Sequence, residues 1–98
     1  MASEGAKNTT ELLWALASEH RLRVICLLEA GERSVSDLAQ HLDLSQSSLS
    51  QHLARLRKAG IVATRREGVT IFYRIADQDA LALAKALSAI VAKRRGGA

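Results

Sequence analysis

Apolar positions along the chain follow helical spacing, switch once to alternation, and then return to helical spacing. Leu12, Leu13 and Leu16 share one face of a helix spanning roughly residues 9–17, and Asn8 with Glu11 has the spacing of a capping box at its start. Trp14 falls off that face, which points to a second buried contact. Ser18 is placed to cap a helix over about 19–30. Its run Val-Ile-Cys-Leu-Leu-Glu-Ala is apolar nearly all round, as in a helix central to a core. Gly31 ends it, in the usual position for a left-handed residue. Ser34 and Asp37 then open a short helix that reaches His41 or Leu42. Asp43 and Leu44 make a tight turn. Ser45 caps a longer helix, about 46–58, closed by Gly60. Leu49, Leu53 and Leu56 recur at helical spacing and face inward. Two short helices joined by such a turn match a helix-turn-helix.

The period changes from Ile61 to Ile75. This stretch is rich in β-branched and aromatic residues, with Glu67-Gly68 at its middle, and predicts a β-hairpin with Arg65, Arg66 and Glu67 near its tip. Asp77 caps a last helix over about 78–93. Leu83, Leu87, Ile90 and Val91 form its apolar stripe, extended by Ala80 and Ala84. The fold class is therefore mostly α with a β-hairpin wing, in the order α-α-α-α-β-β-α: a winged helix-turn-helix with an extra helix at each end. The reading is of one domain over 1–98, with residues 1–7 and 94–98 as disordered tails.

Composition narrows the core and the setting. The chain has 98 residues, 48% of them hydrophobic, and its aromatic residues are Trp14, Phe72 and Tyr73. The core is therefore aliphatic. A domain this small buries a limited share of its surface, so an apolar terminal helix is a natural homodimer face. The start lacks the charged-then-apolar signature of a secretory leader. No stretch approaches the roughly 18 apolar residues that span a bilayer. Cys26 alone builds no internal disulfide framework. These features lead to the expectation of a cytoplasmic protein with no membrane association.

Charge is distributed unevenly. Residues 1–44 hold four basic and seven acidic side chains, whereas residues 45–74 hold six basic and one acidic. A positive field concentrated there suits a polyanion, and equally an ordinary solvated face. The helix from Ser45 favours the first. With Leu49, Leu53 and Leu56 toward the core, Ser47, Gln51, Ala54 and Lys58 face out, flanked by Ser50 and Arg55. Gln46 lies nearer the core side, but in the first turn, where side chains project past the helix end. A solvated helix usually carries Glu, Lys and Arg in i,i+4 pairs. Between Ser45 and Ala54 the only titratable side chain is His52, read as a hydrogen-bonded edge histidine. Short polar side chains instead allow close approach to a major-groove floor, where Gln pairs with adenine and Ser with several base edges. Arg57, Lys58, Arg65 and Arg66 are placed to hold phosphates on either side.

The segments ALASEHRLRVICLLEAGERSVSDLA, LSQSSLSQHLARLRKAGIV and TRREGVTIFYRI resemble, in order, the ArsR/SmtB family of dimeric winged-helix repressors. The likeness is to its redox- and sulfur-responsive or metal-independent branch. It implies that the LSQSSLSQHL helix enters the major groove, that the hairpin is the wing, and that the first and last helices build the dimer. It further implies Gln46, Ser47, Ser50 and Gln51 as base contacts, and Ser45, His52, Arg55, Arg65 and Arg66 as backbone contacts, on an imperfect palindromic operator in double-stranded DNA. Family metal sites use a Cys-x-Cys where this chain has Ser34-Val35-Ser36-Asp37, or ligands along the last helix where it has only Asp77 and Asp79 at the start. No metal and no cofactor are expected. Cys26 resembles the second-helix cysteine of the redox branch but has no second cysteine to pair with. It is read as a small buried apolar residue, with a single reactive thiol as the alternative.

The function expected is a dimeric transcriptional repressor released by an unknown signal. The rival is a partner-binding or anti-repressor module that keeps the fold without operator binding. An enzyme is not expected, since no nucleophile–base pair, phosphate loop or metal cluster is visible.

Overall fold

The computed structural model of the chain describes residues 8–96. Five helices and three strands follow in the order α1 (Thr9–Leu16), α2 (Glu19–Leu28), β1 (Arg33–Ser34), α3 (Val35–Leu42), α4 (Gln46–Lys58), β2 (Val62–Glu67), β3 (Thr70–Ile75) and α5 (Gln78–Gly96). Each helix starts at a side-chain cap that the sequence predicts. Oδ1 of Asn8 accepts from the Glu11 amide at 2.8 Å, and Oγ of Ser18 from Arg21 at 3.3 Å. Oγ of Ser34 accepts from Asp37 at 3.2 Å and Oγ of Ser45 from Ser48 at 3.1 Å. Oδ1 of Asp77 takes the amides of Asp79 and Ala80 at 2.9 and 3.1 Å. Each cap satisfies a donor that the first helical turn leaves open.

The sheet has the order β1-β3-β2 and is antiparallel throughout. β2 and β3 form the hairpin, in register from Val62↔Ile75 to Glu67↔Thr70, and Gly68 turns the chain at φ 64°. β1 was not anticipated. It is two residues long, too short to show alternation, and it exists only because Arg33 and Ser34 pair with Tyr73 and Phe72.

The core is one aliphatic cluster. α2 supplies Leu22, Val24, Ile25 and Leu28, while α3 supplies Leu38 and Leu42. Leu49, Leu53 and Leu56 fasten α4 to it, and Ile61 and Val62 anchor the base of the wing. The carbonyl of Ile61 accepts from the amides of Ala76 and Asp77 at 2.8 and 3.3 Å, joining the wing to the start of α5. The α3–α4 turn passes through Asp43 in the left-handed region, at φ 55°.

The apolar stripe of α5 divides between core and surface, and three expectations are corrected. Ala80 and Ala84 are fully buried, whereas Leu83, Leu87 and Ile90 are 40%, 36% and 54% exposed. At about 100° per residue these are adjacent faces. α2 and α5 pack directly, and the alanines occupy the buried side of that contact. Among the described residues of the protomer Trp14 makes no second buried contact, being 62% exposed. Cys26 is half-buried rather than buried. Residues 94–96 are not a disordered tail: α5 continues to Gly96, and Arg95 pairs with Glu19 of α2 at 2.6 Å. The remaining tail positions, 1–7 and 97–98, lie outside the described residues.

Candidate nucleic-acid interface

α3 and α4 meet through a tight turn that sets α4 on the surface with its leucines inward. Three leucines at helical spacing leave the opposite side free. Ser47, Ser50, Gln51 and Ala54 are all exposed there, and Arg55, Arg57 and Lys58 follow in the last turns. No carboxylate interrupts this surface on α4. The N-terminal half is thus small, uncharged and rich in hydrogen-bonding groups, and the C-terminal half is cationic. Ser45 is exposed, and its hydroxyl serves as the cap. Nε2 of Gln46 donates to Oγ of Ser36 at the start of α3, at 3.3 Å, so this residue ties the two helices of the motif together.

His52 lies behind this face. It is half-buried, with its ring centroid 5.4 Å from that of His20. Its Nδ1 stands 3.3 Å from Nη1 of Arg21. A guanidinium only donates, so Nδ1 is the acceptor and Nε2 carries the proton. Partial burial, then the charges of Arg21 and His20, hold the imidazole below its ordinary value of 6.5. Arg21 carries more than this contact. Its Nε donates to the Ala15 carbonyl at 2.6 Å and its Nη2 to that of Trp14 at 3.2 Å, satisfying the open end of α1. Burial, then the charge of Arg55, lowers its own pKa. Arg21 therefore braces α1, α2 and α4 together. Sequence reasoning gave it no such role, because an arginine on a core helix carries no signal of what it reaches.

The two wing arginines differ in surroundings. Nε of Arg65 donates to both carboxylate oxygens of Glu32, at 2.7 and 3.0 Å, and its Nη1 to Glu67 at 3.3 Å. Those bonds hold its pKa above the ordinary guanidinium value. Nε of Arg66 donates only to the Gly68 carbonyl, at 3.1 Å. Glu32 was also missed, since its partner is far along the chain.

Sγ of Cys26 lies 3.5 Å from Oγ of Ser88 on α5. No group of three or more His, Cys, Asp or Glu side chains is disposed to hold a metal among the described residues. No described helix is long and apolar enough to cross a membrane.

A helix-turn-helix whose second helix is exposed, followed by a hairpin wing, defines a winged helix-turn-helix DNA-binding protein. Comparison with known proteins then places it. The sequence profile of the arsR family of bacterial regulatory proteins matches residues 18–64. Transcriptional activator HlyU of Vibrio cholerae is 47% identical over 78% of this chain and 70% of its own length. Its reduced form, as a solved structure, covers 86% of this chain and 88% of its own at 43% identity, with a TM-score of 0.76. The biofilm growth-associated repressor of Agrobacterium fabrum is 51% identical over 86% of this chain and 74% of its own length. The homodimeric winged helix-turn-helix DNA-binding domain Mb0332 of Mycobacterium bovis is 32% identical, with a TM-score of 0.74, over 87% of this chain and 79% of its own. The chain belongs to the arsR family, and it is a DNA-binding transcriptional regulator of the branch that includes HlyU rather than an enzyme.

Proposed function

We propose that the protein is a homodimeric repressor. It grips an imperfect palindrome in double-stranded DNA with two α4 helices and leaves when an inducing signal arrives. The observation that carries the dimer is the apolar surface left on the terminal helices: Leu83, Leu87 and Ile90 on α5, with Leu13 and Trp14 on α1. Among the described residues these side chains are left between about a third and three-fifths exposed, and a second copy would cover what remains. The homodimeric Mb0332 domain supports the same assembly. Two-fold symmetry then puts half-sites about one helical turn, or a multiple of it, apart.

Within each half-site, Gln46, Ser47, Ser50 and Gln51 take the base edges. Ser45, Arg55 and Arg66 take the backbone, joined by the Nε2–H of His52, the one ring donor that Arg21 leaves free. The cytoplasm, where DNA is accessible, is its place of work. Repression follows from occlusion of the promoter. HlyU carries the name of an activator and the Agrobacterium relative that of a repressor, so the sign needs its own measurement.

Sedimentation equilibrium, footprinting on duplexes enriched from random sequence, and transcription in vitro test the reading together. A two-fold symmetric footprint, a dimer, and transcription that falls on binding are expected. A monomer bound to an asymmetric site refutes the dimer and the palindrome. A fold that binds no duplex is the partner-binding alternative. Transcription that rises on binding refutes repression.

A further inference from the structure

Arg65 and Arg66 are neighbours in sequence but not in function. Arg65 pairs with Phe72 across the hairpin, and Ser34 pairs with the same Phe72 from the other side. These three residues form one row across the sheet and share a face. Arg65 lies along that row. Its guanidinium carbon sits 4.7 Å from the Phe72 ring centroid, and its Nε ends on Glu32, just before β1, at 2.7 and 3.0 Å. The side chain therefore straddles β3 and ties the outer wing strand to the far edge of the sheet. With Glu67 also bound at 3.3 Å, one cation faces two carboxylates, and the group as a whole is negative. An approaching phosphate gains little there. Arg66 pairs with Ile71 and projects from the opposite face. It has no carboxylate within ion-pair distance among the described residues.

We propose that Arg65 is a positioning residue that, with Glu32, fixes the angle of the wing against the body, and that Arg66 is the wing's phosphate cation. This rests on the DNA-binding reading. It departs from the sequence expectation that both arginines touch the backbone.

The test measures affinity by fluorescence anisotropy across a salt series, on a duplex enriched from random sequence by the wild-type protein. Arg65→Ala and Glu32→Gln are each expected to weaken binding by about two- to fivefold, the range for a partly exposed ion pair, without changing the salt slope. Together they should cost no more than either alone. Arg66→Ala should lower the salt slope by about one. The proposal is overturned if Arg65→Ala lowers the slope as Arg66→Ala does, or if Glu32→Gln tightens binding. It is also overturned if neither single change has an effect. A wild-type protein that holds no duplex overturns the DNA-binding reading itself, and the wing roles with it.

Discussion

Ser45→Ala separates the serines of α4 by what each one touches. Oγ of Ser45 accepts the Ser48 amide at 3.1 Å, in the extended Ncap conformation. Alanine leaves that donor to water and adds no compensating contact. Loss of such a cap costs about 1 kcal/mol, whereas Ser45→Gly costs only a few tenths. For a domain of this size, 1 kcal/mol lowers the melting temperature by about 4–8 °C. Ser47→Ala is the control from the same turn. Ser47 is exposed with no hydrogen-bond partner among the described residues, and alanine is the better helix former, so the melt should hold or rise slightly. Thermal and urea melts at one fixed protein concentration measure both, because dimerisation links stability to concentration. Operator affinity should fall in both variants, through disorder of the first turn in one and a lost base contact in the other. If Ser45→Ala melts with the wild type, or Ser47→Ala is equally destabilised, this division of roles is wrong.

Gln51→Ala should cost about 1–3 kcal/mol on the preferred site and little on random DNA, measured by competition binding; equal loss on both refutes base reading. Ala84→Leu forces α2 and α5 apart and should destabilise by about 1–3 kcal/mol in urea melts, although it adds apolar surface. Leu87→Ala should instead shift the monomer–dimer equilibrium in sedimentation, and an unchanged equilibrium would remove that leucine from the interface. Lowered in the fold, His52 protonates more readily when the chain is unfolded, so stability is full above pH 6.5 and falls as pH drops from there toward the folded value. His52→Gln should flatten that part of the stability–pH curve; a curve that keeps its full slope refutes the assignment.

The helices were legible because local chemistry defines them. A serine, asparagine or aspartate three residues before an open amide caps a helix wherever the rest of the chain lies, and all five caps form as spacing predicted. The inward leucines of α4 were legible for the same reason, since a period of 3.6 residues assigns a face without reference to any partner. The exposed polar face followed as the remainder of that helix. The misreadings share one cause: each depends on which element comes to lie alongside another.

Sequence by itself thus determined the order of elements, the core face of α4 and the polar face opposite it, because these obey short-range periodicity. Tertiary structure alone decided that α5 buries its alanines, since only the approach of α2 makes smallness worth more than hydrophobicity. It alone created β1, whose two residues are a strand only through β3. It also gave the adjacent arginines of TRREG unlike surroundings. Alternation along β2 was readable and puts them on opposite faces, but the carboxylate of Glu32 waits on one face only, brought there by a fold that spans 33 residues of chain.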